Sequence, residues 1–337
     1  MRNIISQLRQ KAKSNRKRIV LPEGEDTRVL AAADYINREK LADLIILGSK
    51  KKIEGLSKDR GFNLAGVNII EPASCAYLGD FSSKLYQLLK HKGTTEEEAK
   101  NTLIEKSVYF GAMLVREGKA DGFVGGATHT TRDVARAALY CIGLDPEVGT
   151  MSSSFLMILE DESFGEKGVL VFADCAIIPD PSPKQLASIA ISANDLAQSL
   201  FAPTPRVALL SFSTKGSASS PQSEKVLKAL DIIKQIRPDL LVDGELQADA
   251  ALVLEVADIK APGSPLGGKA NVLIFPNLEA GNISYKLTHR LAKARALGPL
   301  LQGVLAPCSD LSRGCDAEDI IDVVCVTAIR CAYTKTK

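Results

Sequence analysis

The 337-residue sequence has no tryptophan, four methionines and three histidines, and aromatic residues make up only 5% of it. So few rings weaken any reading built on base stacking. Neither charge sign is in excess: 42 Lys and Arg stand against 40 Asp and Glu, which argues against nucleic acid as the main partner. No apolar run approaches the ~18 residues of a membrane span, so no membrane partner is expected. The seven cysteines are an odd, scattered set without a CxxC pair, which argues against both a disulfide framework and a zinc site with paired ligands. His91, His129 and His289 lie too far apart for one metal-binding helix face, and no metal is expected. The Walker A pattern and the GxGxxG fingerprint are both missing, so nucleotide hydrolysis and dinucleotide binding lose their usual support. A reducing, cytoplasmic compartment is expected, with the cysteines acting as small buried apolar residues. The basic start MRNIISQLRQKAKSNRKR lacks the apolar segment of a secretory signal and bears only a weak likeness to a transit peptide. It reads as a surface helix leading into the first strand.

What is present is an alternation. Short aliphatic runs at 18–22, 43–47, 67–70, 122–124, 155–159, 169–172, 207–212 and 272–275 are spaced by helix-length segments. Continuous apolar runs, rather than strict alternation, point to strands covered on both faces. Helices are expected near 26–38, from Thr95, 101–117, 130–141, 182–200, 221–236, 279–296 and 316–331. The class is therefore α/β with a largely parallel sheet. Between 155–159 and 169–172 lies only the short polar connector DESFGEKG, which reads as a hairpin. That break in rhythm places a domain boundary near 145–149.

Segments rich in Gly, Ser and Thr beside strand ends are where an open parallel sheet binds ligands. In DGFVGGATHTTRDVAR (121–136), Gly125-Gly126, Thr130, Arg132 and Arg136 fit an anion cradle at a helix start. The plain alternative is that Thr130 or Thr131 caps the helix and both arginines are solvated. SFSTKGSASS (211–220) offers Ser213 and Lys215 to an acidic group, or is a surface loop. KAPGSPLGGKA (260–270) reads as a linker first. In FPNLEAGNISY (275–285), Asn277 is a substrate-binding candidate or a helix cap. PCSDLSRGCDAED (307–319) presents a hydroxyl, a guanidinium and a helix start. There Asp316 fits an N-cap and Asp319 the N3 position.

Taken in order, RIVLPEGEDTRVLAAA (18–33), DGFVGGATHTTRDVARAAL (121–139), DGELQADAAL (243–252), ANVLIFPNLEAGNISYK (270–286) and DLSRGCDAEDI (310–320) resemble the short-form phosphate acetyltransferases, or phosphotransacetylases. Their wider family includes phosphate butyryltransferase and the C-terminal part of some malic enzymes. The resemblance covers nearly the whole chain. It implies reversible acetyl transfer between acetyl phosphate and coenzyme A, with coenzyme A as a substrate, no tightly bound cofactor, a homodimer and a functional link to acetate kinase. It also implies an isocitrate/isopropylmalate dehydrogenase-like fold of two three-layer α/β/α domains with a cleft between them, drawn as 1–147 plus 299–337 and 148–298. The family's catalytic serine, arginine and aspartate fall on Ser312, Arg313 and Asp319, and its phosphate-contacting arginine on Arg136. Where the family often has an arginine before a Lys-His-Lys-Gly stretch, this sequence has Leu89, which leaves Lys90 or Lys92 to anchor coenzyme A.

In this reading Asp319 is the general base toward the thiol, Ser312 orients the sulfur or donates to the oxyanion, and Arg313 and Arg136 hold the departing phosphate. Alternatives are a phosphate butyryltransferase or another acyl-phosphate:coenzyme A acyltransferase, a metal- and NAD-dependent dehydrogenase of related fold, or a non-enzymatic coenzyme A-binding relative.

Overall fold

The computed structural model describes residues 2–333. In chain order the elements are α1 (Arg2–Ser14), β1 (Arg18–Leu21), α2 (Thr27–Glu39), β2 (Asp43–Leu47), α3 (Lys50–Arg60), β3 (Asn68–Ile70), α4 (Leu78–Leu89), α5 (Glu96–Glu105), α6 (Ser107–Arg116), β4 (Gly122–Gly125) and α7 (Thr131–Ala137). There follow β5 (Ser152–Ile158), β6 (Val169–Ala173), α8 (Pro183–Leu200), β7 (Val207–Leu210), α9 (Pro221–Ile236), β8 (Val242–Leu246), α10 (Ala248–Leu252) and α11 (Leu254–Lys260). The chain closes with β9 (Val272–Ile274), α12 (Leu278–Leu291), β10 (Arg295–Gln302), β11 (Cys308–Asp310) and α13 (Ala317–Tyr333). Two compact units result: residues 2–144 with 304–333, and Asp145–Gly303.

The first unit holds five parallel strands in the order β3-β2-β1-β4-β11. Successive side chains point to opposite faces of a sheet. Val20 and Phe123 lie toward Gly111 of α6, whereas Ile19 and Gly122 lie toward Thr327 and Cys331 of α13. Both faces are therefore covered by helices, which is why β1 reads as an unbroken apolar run. Helix α1 is more than a surface helix. Leu8 and Ala12 are buried, the helix packs on α13, and Arg9 bonds Glu318 and, at 2.7 Å, Asp322.

In the second unit the strand order is β10-β5-β6-β9-β7-β8. Strand β5 runs antiparallel to β10 and β6, the latter through the expected hairpin, and the other pairs are parallel. Tyr285 of α12 stacks on Phe155 of β5 with ring centroids 4.1 Å apart, over a core that includes Met157, Leu170 and Phe172.

Strands β8, β10 and β11 are absent from the sequence-based expectation, each for a local reason. β8 (VDGEL) buries two acids, β10 carries Gly298-Pro299 and a register shift, and β11 is three residues long. Proline and isolated polar residues demote a segment read by pattern. The helix expected over 279–296 ends at Leu291, and Arg295 already belongs to a strand. Among the described residues no helix is long and apolar enough to cross a membrane.

Candidate functional site

The first unit's site grows from two neighbouring strands. β1 ends at Leu21 and leads through Pro22 to Glu23. β4, paired beside it, ends at Gly125 and turns before α7. The Glu23 side chain is 2% exposed. It accepts backbone N–H bonds from Gly126 (2.9 Å), Ala127 (2.8 Å), Thr128 (2.8 Å) and His129 (2.9 Å), and a hydroxyl bond from Thr128. His129 Nδ1 lies 2.8 Å from the same carboxylate. The turn amides read from the sequence as an anion cradle thus hold the chain's own carboxylate. Burial alone would raise the Glu23 pKa; the His129 side chain and the amides of Thr128, His129 and Ala127 outweigh it and hold the carboxyl below its ordinary value. Gly126 sits at φ +115°, and a Cβ there would lie 2.1 Å from Asp310 Oδ1, so only glycine fits.

Arg28, in the first turn of α2, ties this turn to the next. Its Nη1 donates to the carbonyls of Arg313 (2.8 Å) and Cys315 (3.0 Å), and its Nη2 to that of Ala127 (2.9 Å). Asp26 braces the guanidinium through Nε and Nη2. The turns at 126–130 and 312–315 are thereby joined. Ser312 and Arg313 are exposed, and Ser312 Oγ accepts the Gly314 N–H. Asp316 and Asp319 cap α13 reciprocally: the Asp319 N–H reaches Asp316 Oδ1 at 2.8 Å and the Asp316 N–H reaches Asp319 Oδ2 at 3.2 Å. Asp319 is half-buried. Thr130 caps α7 by accepting the Asp133 N–H and donates to the Asp133 carboxylate. Arg136 is exposed on the last turn of that helix.

At the position of the family arginine, Leu89 is buried. Lys90 turns to Gln87 at 2.6 Å, whereas Lys92 Nζ sits 3.8 Å from the ring centroid of Tyr140, four residues beyond Arg136. Cys308 and Cys315 are buried, and burial pushes Cys315 up to about 11. Thiols so placed are filler rather than reactive groups.

Ser213, Lys215 and Asn277 belong to the second unit. Ser213 is fully buried, donating to Glu245 at 2.9 Å and accepting the Ala218 N–H. Lys215 pairs with Asp243. Asn277 caps α12 through the Ala280 N–H and borders a cavity of about 580 Å³ with Asp180, Lys225 and Glu279.

Sequence reasoning missed Glu23 and Arg28. Both lie in the quoted 18–33 motif, and the available signal was an acid at the carboxyl end of a buried strand. Its partner is set by strand order, which a one-dimensional reading does not contain.

The profile of the phosphate acetyl/butaryl transferase family matches residues 3–328. A phosphate acetyltransferase of Thermoanaerobacterium thermosaccharolyticum is 50% identical over 328 residues, which span 97% of this chain and 99% of that protein. A phosphotransacetylase structure from Streptococcus pyogenes superposes with a TM-score of 0.92 at 42% identity, over 99% of each chain. The 4-hydroxythreonine-4-phosphate dehydrogenase of Klebsiella pneumoniae, 9% identical with a TM-score of 0.53 over 94% of this chain and 99% of that one, shares the fold alone. With near full-length agreement in sequence and in fold, the chain belongs to the phosphate acetyl/butaryl transferase family.

Proposed function

We propose that this chain is a phosphate acetyltransferase, an acyltransferase that moves an acetyl group reversibly between acetyl phosphate and coenzyme A. What supports this reading is the end-to-end similarity to proteins of that name, together with the Arg28 junction that ties the turn before α7 to the turn carrying Ser312 and Arg313.

The coenzyme A thiol attacks the acetyl carbonyl, phosphate leaves, and the thiol proton must go to a base. Only the thiolate is a good nucleophile. A thiol near ~8.5 and a carboxylate near ~3.9 differ by about 4.6 units, roughly 6 kcal/mol against a complete transfer before attack. Asp319 serves as base with transfer concerted with attack, and the arriving substrate shields it from water. Ser312 orients the sulfur or donates to the developing oxyanion. Arg313 and Arg136, both exposed, bind the phosphate in charge-assisted bonds and neutralise it as it departs. Holding both substrates in reacting geometry supplies much of the remaining acceleration. Thr130 shapes the start of α7, and Lys92 rather than Lys90 takes the phosphate-anchoring task left open at Leu89. Ser213, Lys215 and Asn277 remain substrate-binding candidates within the second unit. Coenzyme A enters as substrate, and an acetate kinase is the enzyme that makes or uses the acetyl phosphate.

The protein works as a homodimer in a reducing cytoplasm. On α12, Ile283, Leu287 and Leu291 repeat every four residues and are 57%, 52% and 79% exposed, an apolar stripe suited to a second copy.

Acetyl-CoA formation from acetyl phosphate and coenzyme A tests the activity; absence of product rejects it. Asp319→Asn should lower kcat by about 100-fold or more. Activity within a few-fold of the parent removes Asp319 as base.

A further inference from the structure

Asp310 ends β11, opposite Gly125 of β4 and two residues before Ser312. It is fully buried, and both carboxyl oxygens lack a hydrogen-bond partner of ordinary geometry. The nearest donors are the Thr131 hydroxyl at the start of α7 and the Leu311 N–H that follows it. The Gly126 backbone lies so near that a Cβ added there would stand 2.1 Å from Asp310 Oδ1. That same Gly126 donates its N–H to Glu23, so two carboxyl groups flank one peptide.

The surrounding groups offer Asp310 no counter-charge. After β1, Glu23 is negative and already satisfied, with His129 turned to it. Arg28 of α2 spends its guanidinium on Asp26 and the carbonyls of Ala127, Arg313 and Cys315. Arg330 of α13 points to the Cys308 carbonyl and the Ser309 hydroxyl, while Cys308 itself is a buried thiol. On α7, Asp133 is taken by Thr130 and Lys106. β4 contributes no titratable group.

A buried carboxylate without a partner is costly, and the usual escape is to keep the proton. A buried polar group left unsatisfied also calls for an explanation.

We infer that Asp310 is a positioning residue, carried as the neutral acid, and that losing its proton displaces the Leu311–Arg313 segment and disables the site. The charged form would sit beside Glu23, and its only relief is to draw in the Thr131 hydroxyl and the Leu311 N–H. Leu311 is the direct neighbour of Ser312. Burial pushes the group up to about 7, the Glu23 charge working in the same direction, so the change falls in the neutral range. The proton leaves to solvent, and no other chemistry is involved.

The kinetic consequence rests on the acyl-transfer reading, whereas the effect on stability does not. The folded carboxyl binds its proton more tightly than the unfolded chain does. Stability from this group is therefore full at acid pH and falls as pH rises from the ordinary carboxylate range toward 7.

The test compares the parent with Asp310→Asn in the full-length protein, by thermal melting and by acetyl-CoA formation between pH 5.5 and 9. Expected is a variant whose melting temperature gains on the parent as pH rises from 5.5 toward 7 and keeps that gain, without further growth, above it. Its activity should match the parent within about three-fold at pH 6, with an alkaline decline moved up by about one pH unit or more. Substrate ionisation is common to both proteins and cancels. Parallel melting curves overturn the proposal, as does an unshifted activity profile. A shifted melting profile in two proteins that make no acetyl-CoA leaves Asp310 a titrating group and rejects the enzymatic reading instead. Should the Asn variant not fold, Asp310→Ser takes its place. Failure of both to fold overturns the proposal, because an uncharged group is what the site is said to need.

Discussion

Glu23 shows how one buried residue can hold a whole turn in place. Its carboxylate collects four consecutive backbone N–H groups of the 126–129 turn. Each donor left unsatisfied in a buried place costs about 1–3 kcal/mol. Glu23→Gln sets an amide NH₂ against those donors and should destabilise the fold by about 3 kcal/mol, read by denaturant unfolding. Because the folded carboxyl is held below its ordinary value, its contribution is present above the unfolded pKa and is lost as pH falls through the folded one. The parent should therefore lose stability on the acid side more steeply than the Gln variant. Matching acid limbs would show that Glu23 is not the charged anchor. Asp310, at the end of β11 beside Gly126, is the opposite case, a carboxyl raised rather than lowered. Residue types so placed are visible in sequence, but which of two acids is charged depends on donors that only the folded chain delivers.

Helix α13 carries in its first turn a structural load and, in the proposed mechanism, a chemical one. Asp316 and Asp319 cap it reciprocally, so the Asp319 carboxylate is held in the orientation the cap permits. Asp316→Ala should cost about 1 kcal/mol of stability. On the proposed roles it should also lower kcat more than it raises KM, since Asp319 loses its brace while Arg136 and Arg313, proposed to bind phosphate, remain. A change in KM alone would mean that the cap does not orient the base. At this scale the sequence was partly legible. The N-cap and N3 pattern at 316–319 forms as read, and the helices expected from Thr95 and over 182–200 form too, each opened by a capping box. These are local devices, complete within a few residues. The short strand β11 and the proline-bearing β10 were hidden because three residues, or a run broken by Gly298-Pro299, leave too little apolar pattern to read.

At the scale of the molecule, the stripe Ile283, Leu287 and Leu291 on α12 stands open while the helix's other side packs on β5, β6 and β10. A twofold-related copy would lay α12 antiparallel on its mate, setting the Glu279 end of one helix toward the Lys286 and Arg290 end of the other. Leu287→Glu should shift sedimentation from dimer to monomer; an unchanged dimer would move the interface elsewhere. The α/β class and the order of the functional motifs could be read from one dimension, because buried parallel strands announce themselves as apolar runs and the motifs are contiguous. The allocation of polar partners was settled in three dimensions alone. Setting β4 between β1 and β11 is what brings Glu23, Gly126 and Asp310 together. Hydrogen-bond donors then go to whichever acid the sheet order puts within reach, a choice that linear spacing does not encode.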